Sequence, residues 1–470
     1  MSIPSLTRRE FWLAVALIVV ELISGMQIYL TQTILPILAK ELQAQQLYGV
    51  ITGVGMMATY MAMPIGAALL QKYRTGPLML AFTVMLTLGS IISAMAPSFW
   101  VFLSGQIVRT FSGGALVTLS IGAVALGLQG RARRFTMAFM SASWVVAALA
   151  GPAYAALVTE LTSWRWAMIL YLPFLLLSRW LIARNLDDQT TGKPSPLPLI
   201  GSLLLGVGIG LTIIPVDVLA GRLAIAVNAQ AAATVKIILV LAGVMVLGYA
   251  AWRILPPATF QMRHPRSALL VLLLWLMGCY FGGMEVIALT GHDVLGLDAK
   301  HYGLMFTASG LGWSLTAMLM GMRDTDASMV RRRVMSGASL ISSGFLLTAL
   351  ILALTLTGSG PLQNPLIVTA ALAFAQAMAG MGVGTCYIDV FHTLFTDPPV
   401  SDGLDVTTMA GASVIAEGIG MVAFVSITTT WAASAFGTGM ALAARHITMW
   451  GVLALCASGG IILAARTLQR

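Results

Sequence analysis

The chain has 470 residues, 58% of them hydrophobic and only 9% charged, and its mean hydropathy is +0.91. A water-soluble protein of this size cannot bury so large an apolar share, so the composition excludes a soluble domain and indicates an integral membrane protein. The net charge of +9 comes from short basic clusters between apolar runs, which is typical of membrane loops, so we expect no nucleic-acid partner.

Fourteen apolar runs are long enough to cross about 30 Å of hydrocarbon as helices. Each run lasts about twenty residues or more, whereas barrel strands would show stretches of about ten residues of alternating polarity. The predicted helices cover 11–33, 46–69, 76–96, 99–126, 136–158, 165–184, 197–219, 233–254, 267–290, 302–322, 333–357, 364–388, 407–431 and 446–466. The sequence therefore predicts an all-α integral membrane fold.

Basic residues fall in loops that fourteen spans would place on a single side of the membrane. They are Arg8, Arg9, Lys72, Arg74, Arg131, Arg133, Arg134, Arg263, Arg266, Arg331 to Arg333, Arg466 and Arg470. Because cytoplasmic loops carry an excess of Lys and Arg, we expect both termini to be cytoplasmic. We expect a multi-pass protein of the cell membrane, of the bacterial inner-membrane type.

One loop on that side, within residues 389–405, contains four aspartates and no basic residue. Two interpretations stay open for it, a solvated loop and a gate that contacts the facing basic loops. Acidic residues contribute little to the orientation rule, so the predicted topology does not depend on this choice.

The longest polar interruption is RNLDDQTTGKPSPLP, from Arg184 to Pro198, and its Gly, Pro and charge content is typical of a linker. Six predicted helices precede it, two follow it, and six more begin near Ser267. The layout predicts an N-terminal six-helix bundle (1–186), a linker with an extra transmembrane hairpin (187–262) and a C-terminal six-helix bundle (263–470). Two similar bundles are the plan of many transporters.

The fourth predicted helix contains a charged residue, Arg109, well inside its apolar run. A charge at this depth costs about 3 kcal/mol on insertion scales, so we expect Arg109 to face a cavity or a partner. A purely structural tie is the alternative. Gly113 and Gly114 follow and permit close contact between helices, although ordinary packing of small residues explains them equally well.

The fifth predicted helix contains Gly151 and Pro152 near its middle, in SWVVAALAGPAYAAL. Proline removes a backbone donor and bends the helix, which a membrane tolerates only where neighbours or a cavity satisfy the freed carbonyl. We interpret the pair as a shaped bend in a moving bundle.

These segments resemble the Major Facilitator Superfamily, in particular its fourteen-helix drug:proton antiporter branch. Arg109-x-x-x-Gly113 is similar to the fourth-helix motif of that family, and AxxxGPAYAA from Ala147 is similar to its fifth-helix antiporter motif. SWRWAMILYLP at the start of the sixth helix resembles the Trp-Arg-Trp signature of the branch. The resemblance implies two six-helix bundles plus an extra two-helix hairpin, and alternating access around a central cavity.

Two positions depart from the family pattern. The loop between the second and third helices reads GAALLQKYRTG, with Leu70 or Gln71 where the family has an acid that grips a neighbouring helix. The aspartate usual in the first helix aligns with Gln27.

Three glutamates in the apolar runs are candidate proton-coupling residues, because a buried acid in a membrane helix is a functional-site hypothesis by default. They are Glu21, Glu417 and Glu285. At helical spacing Glu21 shares one face with Ser24, Gly25, Thr31 and Gln32, so this face should line water. A carboxylate in a poorly hydrated cavity can bind and release a proton near neutral pH. Structural hydrogen bonding is the alternative role.

Polar and aromatic residues near these acids are the candidate lining of a substrate cavity. They are Arg109, Gln32, Tyr29, Trp144, Trp275 and Tyr280. Adaptable surfaces rich in methionine and aromatic residues accept varied hydrophobic partners, although such residues are common in any membrane helix.

No constellation for catalysis, metal binding or a cofactor is present in the sequence. There is no Gly-x-Ser-x-Gly, no His-Glu-x-x-His and no phosphate-binding loop followed by lysine. Cys279, Cys386 and Cys456 lack metal-ligand spacing and an even count. We expect no cofactor, no metal and no enzymatic activity.

The sequence and the resemblance together predict a secondary active transporter that exports amphipathic or hydrophobic small molecules in exchange for protons. Its expected partners are a small-molecule or lipid-like substrate, protons and membrane lipids, and we expect a monomer. Two alternatives stay open: a lipid or glycolipid flippase of the same fold, and a membrane sensor or scaffold that transports nothing.

Overall fold

The computed structural model describes residues 7–44, 47–186, 197–213, 229–323, 326–356, 361–396, 403–432 and 442–468. These ranges are helical and contain no strand. Thirteen helical segments within them are long and apolar enough to cross a membrane, with Trp164–Asn185 counted as one segment. The all-α membrane fold is therefore confirmed. The predicted helix at 197–219 is described only as Leu199–Ile213, which is shorter than a span, so the count of fourteen is not reached among the described residues.

The described residues of the first half of the chain form eight helices. They are α1 (Arg8–Glu41), α2 (Tyr48–Lys72), α3 (Thr75–Ala94), α4 (Phe99–Gly127), α5 (Gly130–Leu161), the short α6 (Trp164–Ala167), α7 (Leu172–Asn185) and α8 (Leu199–Ile213). The predicted span 165–184 is confirmed as Trp164–Asn185, although a turn at 168–171 divides it into α6 and α7 just before Pro173. Proline is favoured in the first turn of a helix, where its missing N–H has no partner to lose.

From residue 229 onward, the described ranges form seven longer helices and three short segments. The helices are α9 (Ala229–Ile254), α10 (Pro265–Leu289), α11 (Ala299–Gly321), α12 (Ala327–Leu356), α13 (Pro365–Leu394), α14 (Val406–Ala432) and α15 (Leu442–Thr467). A π-helical turn, Thr290–Val294, extends α10, and single 3₁₀ turns lie at Thr259–Gln261 and Pro361–Gln363.

Local signals set several helix ends. Thr7 begins α1 with a capping box, because its hydroxyl accepts from the Glu10 N–H while the Glu10 carboxylate accepts from the Thr7 N–H. Asp405 caps α14 in the same manner, with its carboxylate accepting from the Thr408 N–H at 2.7 Å.

The chain divides into two compact units. The first comprises residues 1–225, 245–256 and 395–415, and the second comprises 226–244, 257–394 and 416–470. In the first unit, α1 packs on α5 and α7, while α4 packs on α2 and α3. In the second unit, α13 packs on α11 and α12, and α15 packs on α12 and α10.

Small residues allow these helices to approach closely. A Cβ atom added to Gly114 of α4 would collide with the Thr59 carbonyl oxygen of α2. The neighbouring Gly113 has no atom within 4 Å of its added Cβ. Close packing therefore explains Gly114, as predicted for this pair, and does not explain Gly113.

The acidic segment on the predicted cytoplasmic side contains an ion pair. Asp389 lies inside α13, which runs six residues beyond its predicted end, and is fully buried. Its Oδ2 accepts from Nη1 of Arg333 on α12 at 2.6 Å. Asp389 thus contacts the basic segment 331–333, as the gate interpretation requires of this segment. Asp397 and Asp402 lie outside the described residues.

Candidate functional site

The first unit places Glu21 of α1 against α5. Its Oε1 accepts a hydrogen bond from Nε1 of Trp144 at 2.8 Å. One turn further along α1, a Cβ added to Gly25 would lie 2.8 Å from the Cβ of Ala147, so the backbones of α1 and α5 are close here. The Glu21 residue is partly exposed, and Trp144 is 37% exposed. The carboxylate is therefore held in place by an indole.

Arg179 of α7 is a charged residue that sequence analysis missed. It is 2% exposed, and its Nη1 donates to the Ser120 hydroxyl of α4 at 2.8 Å. It attracts Glu21 electrostatically without forming an ion-pair contact. Two polar pairs in the first unit, Glu21 with Trp144 and Arg179 with Ser120, thus contain one negative and one positive charge that attract each other.

Arg109 of α4 is 5% exposed and faces α1. Its Nε donates to the Gln106 side-chain oxygen at 3.1 Å, and its Nη2 donates to the Thr31 hydroxyl at 2.8 Å. Its Nη1 is buried and has no hydrogen-bond partner among the described residues. The structure thus brings Arg109 together with Thr31 of the predicted polar face, and neither contact is with an acid.

The α5 helix continues through Gly151 and Pro152 without interruption, from Gly130 to Leu161. Gly151 is buried, and Pro152 is partly exposed. Three residues after Gly151, the Tyr154 hydroxyl donates to the Ala167 carbonyl of α6 at 3.0 Å. The pair therefore lies between the contact of α5 with α1 near Ala147 and its contact with α6.

In the second unit, Glu417 of α14 lies at the end of an aromatic cluster. Its Oε2 accepts from the Tyr387 hydroxyl at 3.4 Å. Edge and tilted ring contacts, with centroids 4.6 to 6.0 Å apart, join the cluster, which consists of Tyr280, Phe281, Trp313, Tyr387 and Phe391. Glycine permits this arrangement at α13, because a Cβ on Gly384 would collide with the Trp313 carbonyl oxygen.

The other predicted residues of the second unit occupy different surroundings. Tyr280 is 2% exposed and its hydroxyl is 2.9 Å from the Ser309 hydroxyl, so it is packed inside the unit. Trp275 donates from Nε1 to the Cys456 carbonyl at 2.6 Å. Glu285 is exposed. Glu285 and Glu417 therefore differ in setting, although both are acids in apolar helices.

The side chains of Tyr29 and Gln32 lie outside the described residues, although both positions belong to α1. Their predicted place in the substrate cavity stays a prediction.

At the predicted outer end of the first unit, the Trp-Arg-Trp segment contacts the ends of two neighbouring helices. Trp164 is 1% exposed and donates from Nε1 to Glu41 at 2.6 Å, and Arg165 forms an ion pair with the same carboxylate. Arg165 also lies over the Trp164 ring and donates to the Ala96 carbonyl at 3.1 Å. These contacts join the ends of α1, α3 and α6. The hydrogen bond from Trp164, followed by Arg165, holds the pKa of Glu41 below its ordinary value; this residue lies beyond the apolar span Arg8–Gln27.

The segment that lacks the family's acid still contacts a neighbouring helix. Gln71 Nε2 donates to the Thr408 hydroxyl of α14 at 3.1 Å. Nearby, a Cβ on Gly411 would lie 2.5 Å from the Cβ of Ala67. A neutral amide therefore makes the helix contact here without a carboxylate.

Comparison with known proteins identifies the fold and the family. The sequence profile described as Major Facilitator Superfamily matches residues 17–399. The chain belongs to the Major Facilitator Superfamily. It is therefore a membrane transporter of small molecules and not an enzyme, and the predicted family is confirmed.

Relatives and a solved structure agree with this assignment. The probable multidrug-efflux transporter Rv1634 of Mycobacterium tuberculosis (strain ATCC 25618 / H37Rv) is 24% identical over 94% of this chain and 87% of that protein. The Triacylglyceride transporter of Mycolicibacterium smegmatis (strain ATCC 700084 / mc(2)155) is 24% identical over 86% of this chain and 71% of that protein. The crystal structure of the human organic anion transporter MFSD10 (TETRAN) superposes with a TM-score of 0.66 at 17% identity, covering 97% of this chain and 99% of that chain. At this identity the last match demonstrates a shared fold.

Proposed function

We propose that this transporter exports amphipathic small molecules in exchange for protons, with Glu21 as the principal proton carrier. We further propose that it works as a monomer in the bacterial inner membrane, with both termini cytoplasmic. Relatives named as multidrug-efflux transporters support the direction and the breadth of substrate. Substrate and proton would use the same carrier alternately, as the two orientations of its cavity differ in proton affinity.

The observation that carries the proposal is the setting of Glu21. The residue is partly exposed, while its carboxylate accepts a hydrogen bond from Trp144 and is attracted by the buried Arg179. Protonation of Glu21 removes its negative charge and with it the attraction to Arg179. Contacts between α1 and α7 therefore depend on whether a proton is bound, and this dependence is the physical requirement for coupling.

Glu417 is the second carrier in this proposal, and Glu285 is the third candidate acid. The Tyr387 hydroxyl donates to the Glu417 carboxylate at 3.4 Å and so fixes its position at the aromatic cluster. Trp144 lies beside Glu21 and supplies an aromatic surface where an amphipathic substrate would displace water.

The test uses proteoliposomes with the pH dye pyranine trapped inside. A panel of fluorescent amphipathic compounds, anionic, neutral and cationic, is added outside, and internal pH and internal compound are followed together. We expect at least one compound and protons to move in opposite directions in the wild type, and the Glu21→Gln variant to move the compound without the pH change. Compound flux that never alters pH in the wild type would refute proton exchange.

A lipid substrate is the second candidate, and the resemblance to the mycobacterial triacylglyceride transporter favours it. Fluorescent glycerolipids placed in one leaflet of the same vesicles distinguish the two. Accelerated movement of the lipid between leaflets, with no flux of the soluble panel, would favour the flippase.

A further inference from the structure

Arg109 is a buried cation whose hydrogen-bond partners among the described residues are all neutral. Its Nε and Nη2 donate to Gln106 and Thr31, and its Nη1 is buried with no hydrogen-bond partner among the described residues. No ion pair to Arg109 is found in the described part of the chain. The nearest predicted acid on the same helix as Thr31 is Glu21, and that carboxylate is engaged by Trp144.

Burying the Arg109 guanidinium without an opposite charge is unfavourable in free energy. A guanidinium stays protonated in proteins, so Arg109 cannot become neutral when it is buried. A buried charge is ordinarily paired with an opposite charge, because an unpaired one loses its hydration without compensation. The protein supplies hydroxyl and amide oxygens to Arg109 and leaves one of its donor nitrogens unused, so an anion from outside the chain would complete the set.

The surroundings of Arg109 are closed on one side and open on another. A Cβ added to Gly89 of α3 would lie 2.6 Å from the backbone nitrogen of Arg109, so no ligand fits there. Gly113 is one turn further along α4 and about 40° around its axis from Arg109. Its added Cβ meets no atom within 4 Å, and the residue is partly exposed. Open space therefore adjoins Arg109 on its own face of the helix.

We propose that Arg109 binds the carboxylate of an amphipathic organic anion, whose apolar part occupies the space beside Gly113. The planar fork of an arginine matches two carboxylate oxygens, so Nη1 and Nη2 would both donate to the ligand. The bond from Nη2 to Thr31 is the contact that the carboxylate replaces, and Thr31 lies on α1, the helix that carries Glu21. This inference rests on the proposed export function and names the chemical class of its substrate.

The experiment measures binding to the purified full-length protein in detergent, with no membrane gradient. The probes are pyrenebutyrate and three further amphipathic carboxylates, each compared with its own methyl ester, and pyrenebutylamine as the cationic counterpart. A charge-assisted bond to a buried guanidinium is worth roughly tenfold to a hundredfold in affinity. We expect the wild type to bind at least one acid about tenfold or more tightly than its ester, and to bind the amine no better than the ester.

Substitutions at Arg109 and Gly113 test whether these residues cause the preference for an acid over its ester. Arg109→Gln should remove the preference for the acid and leave affinity for the ester unchanged, whereas Arg109→Lys should keep part of the preference. Gly113→Val should weaken binding of acid and ester alike by filling the space. Gly248→Val is the control, because Gly248 on α9 also has no atom within 4 Å of an added Cβ but lies on a different helix.

The outcomes separate this inference from the proposed function. No preference for any acid over its ester in the wild type would overturn the anion site, even if proton-coupled transport of cations or neutral compounds is observed. An unchanged preference in Arg109→Gln would also overturn it. If Arg109→Gln does not fold, the comparison of acid, ester and amine on the wild type and on Gly113→Val still decides the question. Absence of proton coupling would refute the proposed exchange and leave the binding result standing.

Discussion

The electrostatic link between Glu21 and Arg179 predicts a measurable coupling energy. The two groups attract each other across α1 and α7, yet they are not in ion-pair contact. Two unit charges 4 Å apart attract by about 4 kcal/mol at an effective dielectric constant near 20. Because these charges are further apart, we expect an interaction of about 1–3 kcal/mol.

A double-mutant cycle isolates this interaction. The variants are Glu21→Gln, Arg179→Met and the double variant, and the assay is equilibrium unfolding in mixed micelles. Each single change leaves the other charge without its opposite, so each should lower the free energy of unfolding. The double variant should lose about 1–3 kcal/mol less than the sum of the singles, since the attraction can be lost only once.

A matched cycle provides the control. Arg184 lies on the same helix, is exposed, and contacts the ring of Trp180. The pair Glu21→Gln and Arg184→Met should be additive within about 0.5 kcal/mol, as is usual for independent sites. If the pair Glu21 and Arg179 is equally additive, the charges do not interact and the physical basis for coupling at Glu21 is refuted.

Three further predictions concern other parts of the chain. The hydrogen bond from Trp164 is the first cause of the lowered pKa of Glu41, so the carboxylate stabilises the fold at pH values above 4.5, its ordinary pKa, and loses this effect as pH falls through the folded pKa. The melting temperatures of wild type and Glu41→Gln should therefore converge as pH falls below 4.5. A difference that stays constant with pH would contradict the assignment. Asp389→Asn should destabilise the second unit, by about 1–3 kcal/mol in unfolding free energy, because the fully buried carboxylate loses its charge and its ion pair with the partly buried Arg333, and an effect below about 0.5 kcal/mol would show that the pair is dispensable. Gly114→Leu should prevent assembly, measured as loss of monodisperse protein by size exclusion, since the added atoms collide with α2; normal yield would contradict the close approach.

Hydropathy predicted the helical elements well because length and apolar character decide which segments cross a membrane. The prediction for 99–126 matches Phe99–Gly127, and that for 407–431 matches Val406–Ala432. Hydropathy did not predict interruptions within a helix, because these depend on local backbone geometry. The turn before Pro173 divides the sixth predicted helix, and nothing in its hydropathy indicates that division.

The site was only partly predictable. Glu21 and Arg109 could be found because charges deep in apolar runs are conspicuous. Arg179 was missed because it lies near the predicted cytoplasmic end of its helix, where an arginine ordinarily extends its side chain to the interface. Its burial depends on which way α7 turns, and that is set by packing against α1 and α3. Asp389 was open to two interpretations for the same reason, since only the extension of α13 buries it.

The central claim is that protonation of Glu21 couples substrate movement to the proton gradient. The most direct measurement is transport in proteoliposomes under an imposed pH gradient, comparing wild type with Glu21→Gln, together with exchange of labelled substrate at equal pH. The Glu21→Gln variant should keep exchange at equal pH and lose accumulation driven by the gradient. Gradient-driven accumulation at the wild-type level in Glu21→Gln would show that Glu21 does not couple transport to protons.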